Sequence, residues 1–171
     1  MRIVLTGPES VGKTTLAERL AQITGRSWVP EFARGYLEDR HGQIEAGDMP
    51  VIFWGQWELE QRALKDAILD TDVRMTVVWW ERLFPPCPVF FKEQLSQLEP
   101  RKTFLLAPDV PWVADPVRYL PHEGEEFFSA CQRLFNALGH PYHVLSGNWQ
   151  QREQLALAVM ASNDEHDERR I

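Results

Sequence analysis

Eight residues near the start of the chain, Gly7-Pro8-Glu9-Ser10-Val11-Gly12-Lys13-Thr14, fit the spacing G-x-x-x-x-G-K-[ST]. A polyphosphate is a dense anion, and each residue type in this pattern answers it. Gly7 and Gly12 admit backbone conformations and close approaches that a Cβ would block. Successive N–H groups between them can then converge into an anion nest, to which the following helix adds its positive end. Lys13 brings a full charge to the β- and γ-phosphates, and Thr14 brings a hydroxyl to Mg²⁺. The expected phosphate-binding set is Gly7, Glu9, Ser10, Val11, Gly12, Lys13, Thr14 and Thr15. A chance match arises on the order of once per hundred chains of this length, and the context lowers that further. An apolar run, Ile3-Val4-Leu5, precedes the loop, while Leu16, Leu20 and Ile23 follow at helical spacing.

Carboxylates supply the rest of the chemistry. Glu31 and Asp70 each end a predicted strand, and parallel sheets place ligands beyond the carboxyl ends of their strands. Asp70 sits where a phosphate-loop protein needs a carboxylate for the Mg²⁺ shell, so Thr14 and Asp70 form the candidate metal pair. The competing reading is that Asp70-Thr71-Asp72 caps the next helix, where Asp and Thr are favoured. Phosphoryl transfer to a hydroxyl needs an acceptor for its proton. Glu31, Asp70 and Asp72 are the candidates, and their positions do not choose among them. Arg34, one turn beyond Glu31, either holds substrate or pairs with Glu31.

These groups require elements to position them. The apolar patterning predicts strands at 2–6, 27–30, 67–69, 102–107 and 142–145. Between them it predicts helices at 13–24, 32–37, 51–65, 76–83, 89–98, 127–138 and 149–160, with residues 39–50 as a loop. Phe127, Phe128, Cys131, Leu134, Phe135 and Leu138 would bury one helix face. Four prolines shape the segment after the fourth strand, where Trp112 could stack on a flat ring or pack in the core. Arg118 could reach a transferring phosphoryl group or remain a solvated charge. Strands alternating with helices predict an α/β fold: a three-layer sandwich of the phosphate-loop NTPase type, with a five-stranded, mostly parallel sheet. One domain spans residues 1–161, with a small lid at about 108–123. Residues 162–171 read as a polar, disordered tail.

Composition sets the outer bounds. The chain has 171 residues, of which 44% are apolar, enough for one domain with a sizeable core. Its net charge of −7 and the lack of a basic stripe argue against nucleic acid as the main partner. Two cysteines, Cys87 and Cys131, make neither a disulfide framework nor a zinc pattern. The five histidines are scattered and none is assigned a function. No signal peptide and no membrane-length apolar run are apparent, so a cytoplasmic, non-membrane protein is expected.

The order GPES-x-GKTTLA, VPEFAR-x-YL, GQ, DTD, CP and PDVPWVAD-x-x-R resembles the nicotinamide riboside (ribosylnicotinamide) kinase domain of bacterial NAD-salvage regulators and its free-standing relatives. The resemblance runs from about Arg2 to Gly147. It implies a nucleoside-kinase-like fold with a lid, ATP and Mg²⁺ as cofactors, and transfer of the γ-phosphoryl to the 5′-hydroxyl of nicotinamide riboside. The product would be the mononucleotide, a step of NAD salvage. The implied catalytic set is Lys13, Glu31, Asp70, Asp72 and the lid arginine Arg118. The implied substrate contacts are Glu31, Arg34, Tyr36, Gln56, Asp72, Trp112 and Asp115, with Trp112 sandwiching the nicotinamide ring. The chain departs from the family in three places: Gly35 replaces a glutamate, Pro116 replaces a glycine, and a second lid arginine near residues 122–126 is missing. Without an H-x-G-H motif or a segment before the first strand, the adenylyltransferase and DNA-binding activities of the bifunctional relatives are not expected.

Overall fold

Five short apolar runs form one parallel sheet. In the computed structural model, which describes residues 1–113, 119 and 122–167, the strands are β1 (Ile3–Thr6), β2 (Trp28–Val29), β3 (Ile68–Asp70), β4 (Lys102–Leu106) and β5 (His143–Leu145). Their order is β2-β3-β1-β4-β5, and all four pairings are parallel. Register places Leu5 beside Asp70 and beside Phe104, so the carboxyl ends of β1, β3 and β4 lie at one edge. The chain order reverses direction at β1, which puts a crevice between the ends of β1 and β3.

Continuous burial of the three central strands, β1, β3 and β4, follows from helices covering both faces. Ile3 and Leu5 of β1, with Phe104 and Leu106 of β4, pack on one face against α1 (Lys13–Thr24) and α7 (Trp149–Asp167). Leu16 and Leu20 are almost wholly enclosed there, and burying two leucines contributes about 3–6 kcal/mol. Leu105 points to the other face, against α4 (Val73–Leu83) and α6 (Gly124–Ala137). Phe127, Cys131 and Phe135 are buried as the helical spacing predicts, whereas Leu138, just past the end of α6, is exposed. A further layer joins α3 (Asp48–Arg62) to α4 through Met49, Phe53, Val73 and Val77. The fold is the α/β sandwich the patterning predicts.

Several boundaries move for local reasons. The helix α3 starts at Asp48, inside the stretch expected to be a loop. Asp48 accepts the Glu45 N–H at 2.8 Å, and Pro50 falls in the first turn, where its missing donor costs nothing. The helix α4 starts at Val73 rather than Thr76, because Asp72 caps it by accepting the Arg74 N–H at 3.0 Å. Residues 89–98 divide into α5 (Val89–Gln94) and a 3₁₀ turn, Leu95–Gln97. Residues 162–167, read as tail, continue α7. Among the described residues no helix is long and apolar enough to cross a membrane.

Candidate active site

The loop between β1 and α1 is shaped by its glycines. Gly7 has φ +132°, and a Cβ there would meet the Leu106 carbonyl oxygen at 2.7 Å. Gly12 has φ +82°, and a Cβ there would run into the Trp149 ring. Ser10 also adopts a left-handed conformation, φ 62°, between them. Such strain in a non-glycine residue concentrates where a ligand organises the backbone. The Lys13 ammonium folds back on this loop, donating to the carbonyls of Gly7 at 3.0 Å and Pro8 at 2.6 Å. The ammonium thus stays beside the nest rather than pairing with a distant acid.

Asp70 stands at the end of β3, 2% exposed, and its Oδ2 accepts the Thr14 hydroxyl at 2.5 Å. Its Oδ1 is buried without a hydrogen-bond partner among the described residues. Burial pushes its carboxyl above the ordinary carboxylate range, opposed by the Thr14 hydrogen bond and the Lys13 charge. A hydroxyl and a carboxylate in contact, with one oxygen unsatisfied, suit a cation that keeps most of its waters, as Mg²⁺ does. No group of three or more His, Cys, Asp and Glu side chains among the described residues forms a self-sufficient metal cage. Thr14 and Asp70 would hold Mg²⁺ only together with phosphate oxygens and water. Next to Asp70, Thr71 has φ 76°, a strained turn for a β-branched residue, fixed by its N–H donating to the Leu5 carbonyl at 2.9 Å.

Glu31 ends the connection from β2 and precedes α2 (Phe32–Asp39) in extended conformation. It is half-buried, and desolvation pushes its carboxyl from 4.5 up to about 7. Lys13 pulls that value down while Asp70 pushes it up, so the three charges share one space. Arg34 faces the same space, and its guanidinium meets the Glu38 carboxylate at 3.3 Å. Arg34 pairs with Glu38, and its charge also lowers Glu31.

Lys13, Thr14, Glu31 and Arg34 open into a cavity of about 340 Å³, while Asp70, bonded to Thr14, is not part of its lining. Lys13, Thr14, Thr15, Glu9, Ser10 and Gly12 line its phosphate side. Its far side is apolar. The helix α3 presents Met49, Ile52 and Gln56, and α4 presents Met75, Trp79 and Leu83. Gln56 is 2% exposed. Its Oε1 accepts the Phe32 N–H at 3.0 Å, which fixes the amide orientation, and its Nε2 has no partner among the described residues. The cavity therefore offers one buried, unused donor among apolar walls.

Some expected site residues fall elsewhere. Asp72 is not brought to the cavity. Its carboxylate is fully enclosed, caps α4 and pairs with Arg74 and, at 3.4 Å, with Arg101. Burial alone would raise it, but Arg74 and Arg101 outweigh burial and hold it below the ordinary value. The capping reading of Asp72 is the one observed. Tyr36 donates its hydroxyl to Asp48 at 2.8 Å and does not line the cavity. Trp112 is half-buried and also stands outside the lining. Asp115 and Arg118 lie outside the described residues, as do positions 114, 116, 117, 120 and 121 of the expected lid. The described lid residues lie against the loop: Val113 N–H donates to Ser10 Oγ at 2.7 Å, and Tyr119 N–H donates to the Glu9 carboxylate at 3.0 Å. Tyr119 also lines the cavity, and its hydroxyl donates to the Gly42 carbonyl at 2.8 Å. Glu9 and Ser10, expected at the phosphates, thus use their side chains on the lid.

Sequence reasoning missed Met49, Ile52, Met75, Trp79 and Tyr119. The first four recur at helical spacing, which marks a face but not the neighbour it meets. It also missed Arg152, a fully buried guanidinium that ties the β5–α7 turn to the phosphate loop. Arg152 donates to the carbonyls of Gly147, Val11 and Ala107 at 2.8–2.9 Å and pairs with Asp109.

A family model described as the AAA domain matches residues 2–152. The fold is similar to that of the NadR protein in complex with NAD and AMP-PNP, with a TM-score of 0.75 at 21% identity, covering 94% of this chain and 48% of that one. It is also similar to deoxyadenosine kinase from M. mycoides with bound dATP, with a TM-score of 0.63 at 12% identity, covering 94% and 99% of the two chains. Thymidylate kinase from Ehrlichia chaffeensis gives a TM-score of 0.57 at 16% identity, covering 95% and 97%. At such identities the likeness is one of fold. The chain spans about half the length of the NadR protein. No curated protein sequence matches it.

Proposed function

This chain belongs to the AAA domain family, and on that premise we propose that it is an ATP-dependent kinase that phosphorylates the hydroxyl of a small nucleoside, with nicotinamide riboside as the acceptor. The observation that carries this reading is the shared cavity. The phosphate-loop lysine, the Thr14 hydroxyl that Asp70 holds, the Glu31 carboxylate and an apolar pocket all open into one space of about 340 Å³. A nucleotide-binding module without catalysis has no use for the second carboxylate or the apolar pocket.

Each residue has a task in such a transfer. The nest and Lys13 hold the transferring end of the triphosphate, and Lys13 leaves the Gly7 and Pro8 carbonyls to do so. Thr14 and Asp70 would hold Mg²⁺, which when bound offsets charge on the phosphate oxygens. Glu31 orients the acceptor hydroxyl and takes its proton, a task matched to a carboxyl poised near neutrality. The apolar walls from α3 and α4 take the base, and Gln56 Nε2 donates to an oxygen on it, such as a carboxamide carbonyl. Val113 and Tyr119, which meet Ser10 and Glu9, would help to hold water off the γ-phosphoryl.

The resemblance in motif order and the fold shared with NadR and nucleoside kinases support nicotinamide riboside. Trp112 outside the lining favours the second reading, the same transfer to another nucleoside. A panel of nucleosides offered with Mg-ATP, with ADP release followed, separates the two. Nicotinamide riboside is expected to release ADP well above the no-acceptor control. No excess over that control removes it as the substrate.

A further inference from the structure

The Glu31 carboxylate is placed by its backbone. Its side chain makes no capping hydrogen bond with α2, the helix it precedes. The tie to the sheet on its other side is short: β2 is a two-residue edge strand, paired with β3 through Trp28 and Val29. Pro30, between that strand and Glu31, has no N–H to donate. Within α2 only Leu37 is buried. The remaining hold on this end of α2 comes from α3, the helix it packs on.

Three contacts make that hold, from Asp48, Gly55 and Gln56, which share one face of α3 at two-turn spacing. Asp48 accepts the Tyr36 hydroxyl at 2.8 Å. Gln56 Oε1 accepts the N–H of Phe32, the residue next to Glu31, at 3.0 Å. Gly55 receives the Phe32 ring. A Cβ there would lie 2.3 Å from Cζ of that ring and 2.4 and 2.6 Å from its two Cε atoms. The ring has little freedom to step aside, because it stacks on Tyr36, with centroids 5.9 Å apart and planes at 23°, and Tyr36 is itself held by Asp48. Glycine inside a helix is less stable than alanine, so its presence at Gly55 marks a close approach that the packing uses. Arg34, on the same short helix as Phe32, lines the cavity beside Glu31.

We propose that Gly55 and Phe32 are positioning residues: the missing Cβ at Gly55 admits the Phe32 ring, and that fit holds the Glu31 carboxylate at the acceptor hydroxyl. This rests on the reading of Glu31 as the base given above and adds to it what sets the place of the base. Neither residue touches the reacting atoms. Both act through the backbone that joins Phe32 to Glu31, and a misplacement of about 1 Å at a reacting group can cost about 100-fold in rate.

The test exchanges the sizes of the two residues in the full chain, with Mg-ATP and the nucleoside that releases most ADP. G55A adds the clashing methyl. F32L deletes the three ring atoms that methyl would strike, so the double variant restores the fit. In G55A kcat should fall about 10- to 100-fold, and in the double variant it should return to within about threefold of wild type. The ATP KM should stay within about twofold in both, because the phosphate loop is untouched. A Glu31 displaced toward water loses part of the burial that pushes its carboxyl up to about 7, while Lys13 and Glu9 from the loop, Asp70 from β3 and Arg34 from α2 face it. The midpoint of the kcat/KM pH profile should therefore drop by at least about half a unit in G55A and return in the double variant. A kcat or a midpoint that stays at the wild-type value in G55A overturns the proposal, as does a double variant no better than G55A. If G55A does not fold, F32L takes its place: alone it should lose about 3- to 10-fold in kcat, and adding G55A should restore it. A further loss on that addition overturns the proposal. Glu31→Gln runs in the same panel. A Gln variant within about threefold of wild type, or no ADP release with any nucleoside, removes the base reading and this inference with it. A deep loss in Glu31→Gln beside an unchanged G55A removes only the role of Gly55 and Phe32.

Discussion

Glu31 gives the most demanding prediction, because one carboxyl must account for a rate profile and a stability profile at once. Its carboxyl is pushed to about 7 by burial, with Lys13 opposing and Asp70 reinforcing. If the ionised form takes the proton of the acceptor hydroxyl, kcat/KM for the acceptor follows the ionised fraction. That fraction is about one eleventh one pH unit below the midpoint and about ten elevenths one unit above it, so the rate should rise roughly tenfold between pH 6 and 8. Glu31→Gln keeps the shape and removes the base. Its kcat should fall about 10²- to 10⁴-fold, and the residual profile should show only the titration of the nucleotide, which serves as the control. The stability profile runs the other way. Unfolded, the carboxyl ionises near its ordinary 4.5; folded, near 7. Between those values the native state holds the proton more tightly, so stability is lost as pH rises through the window and levels off above it. Glu31→Gln should therefore match the wild type at acid pH and exceed it above neutrality. The gain is at most about 3 kcal/mol, less because the side chain keeps some solvent contact. Initial rates by ADP release and urea midpoints across the same buffers measure both. A wild-type rate that is flat from pH 6 to 8, or a Gln variant within about threefold of wild type, would refute the assignment of Glu31 as base.

Three further outcomes follow from the geometry. Asp70→Asn keeps the Thr14 contact but removes the charge, and should raise the Mg²⁺ concentration for half-maximal rate at least about tenfold, read from rate against free Mg²⁺. Gln56→Leu removes the unpartnered Nε2 from the apolar wall, and should raise the acceptor KM about tenfold while leaving the ATP KM within about twofold, read from two-substrate kinetics. Arg101 is buried between Glu60, at 2.5 Å, and Asp72, at 3.4 Å. Arg101→Met should cost about 3–5 kcal/mol in urea unfolding at neutral pH, because it strands the buried Glu60 carboxylate and leaves Asp72 with Arg74 as its one cation among the described residues. The loss should shrink at acid pH, where those carboxylates can take up protons.

The legible part of this molecule is the part built from neighbours in sequence. Gly7 to Thr14 must act as one loop, because the nest is made of consecutive N–H groups, so its spacing alone carries the chemistry. Asp70 was legible for a similar reason: a strand in a parallel sheet delivers its last residue to the ligand edge. Asp72 shows the limit. Two residues further on, the same residue type caps a helix and pairs with Arg101, 29 positions away, and no local pattern announces that partner. Arg152 is the same case at greater range, joined to Val11 across 141 positions.

The acceptor walls follow this logic to a functional consequence. Main-chain groups grip the phosphates, so the phosphate end depends little on which side chains surround it. The acceptor end is lined by Met49, Ile52 and Gln56 from one helix and Met75 and Trp79 from another. The contact between those helices is held by Phe53, Val73 and Val77 together with Met49, which serves both the cavity and this layer. Substitutions at Ile52 and Gln56, which are not in that layer, can therefore alter the cavity without unseating α3 from α4. Changes in that inner layer would leave a cavity in a packed core and cost about 2–5 kcal/mol each. On the proposed function, acceptor choice would rest on these apolar side chains and the Gln56 amide, none of which the phosphate-loop pattern constrains.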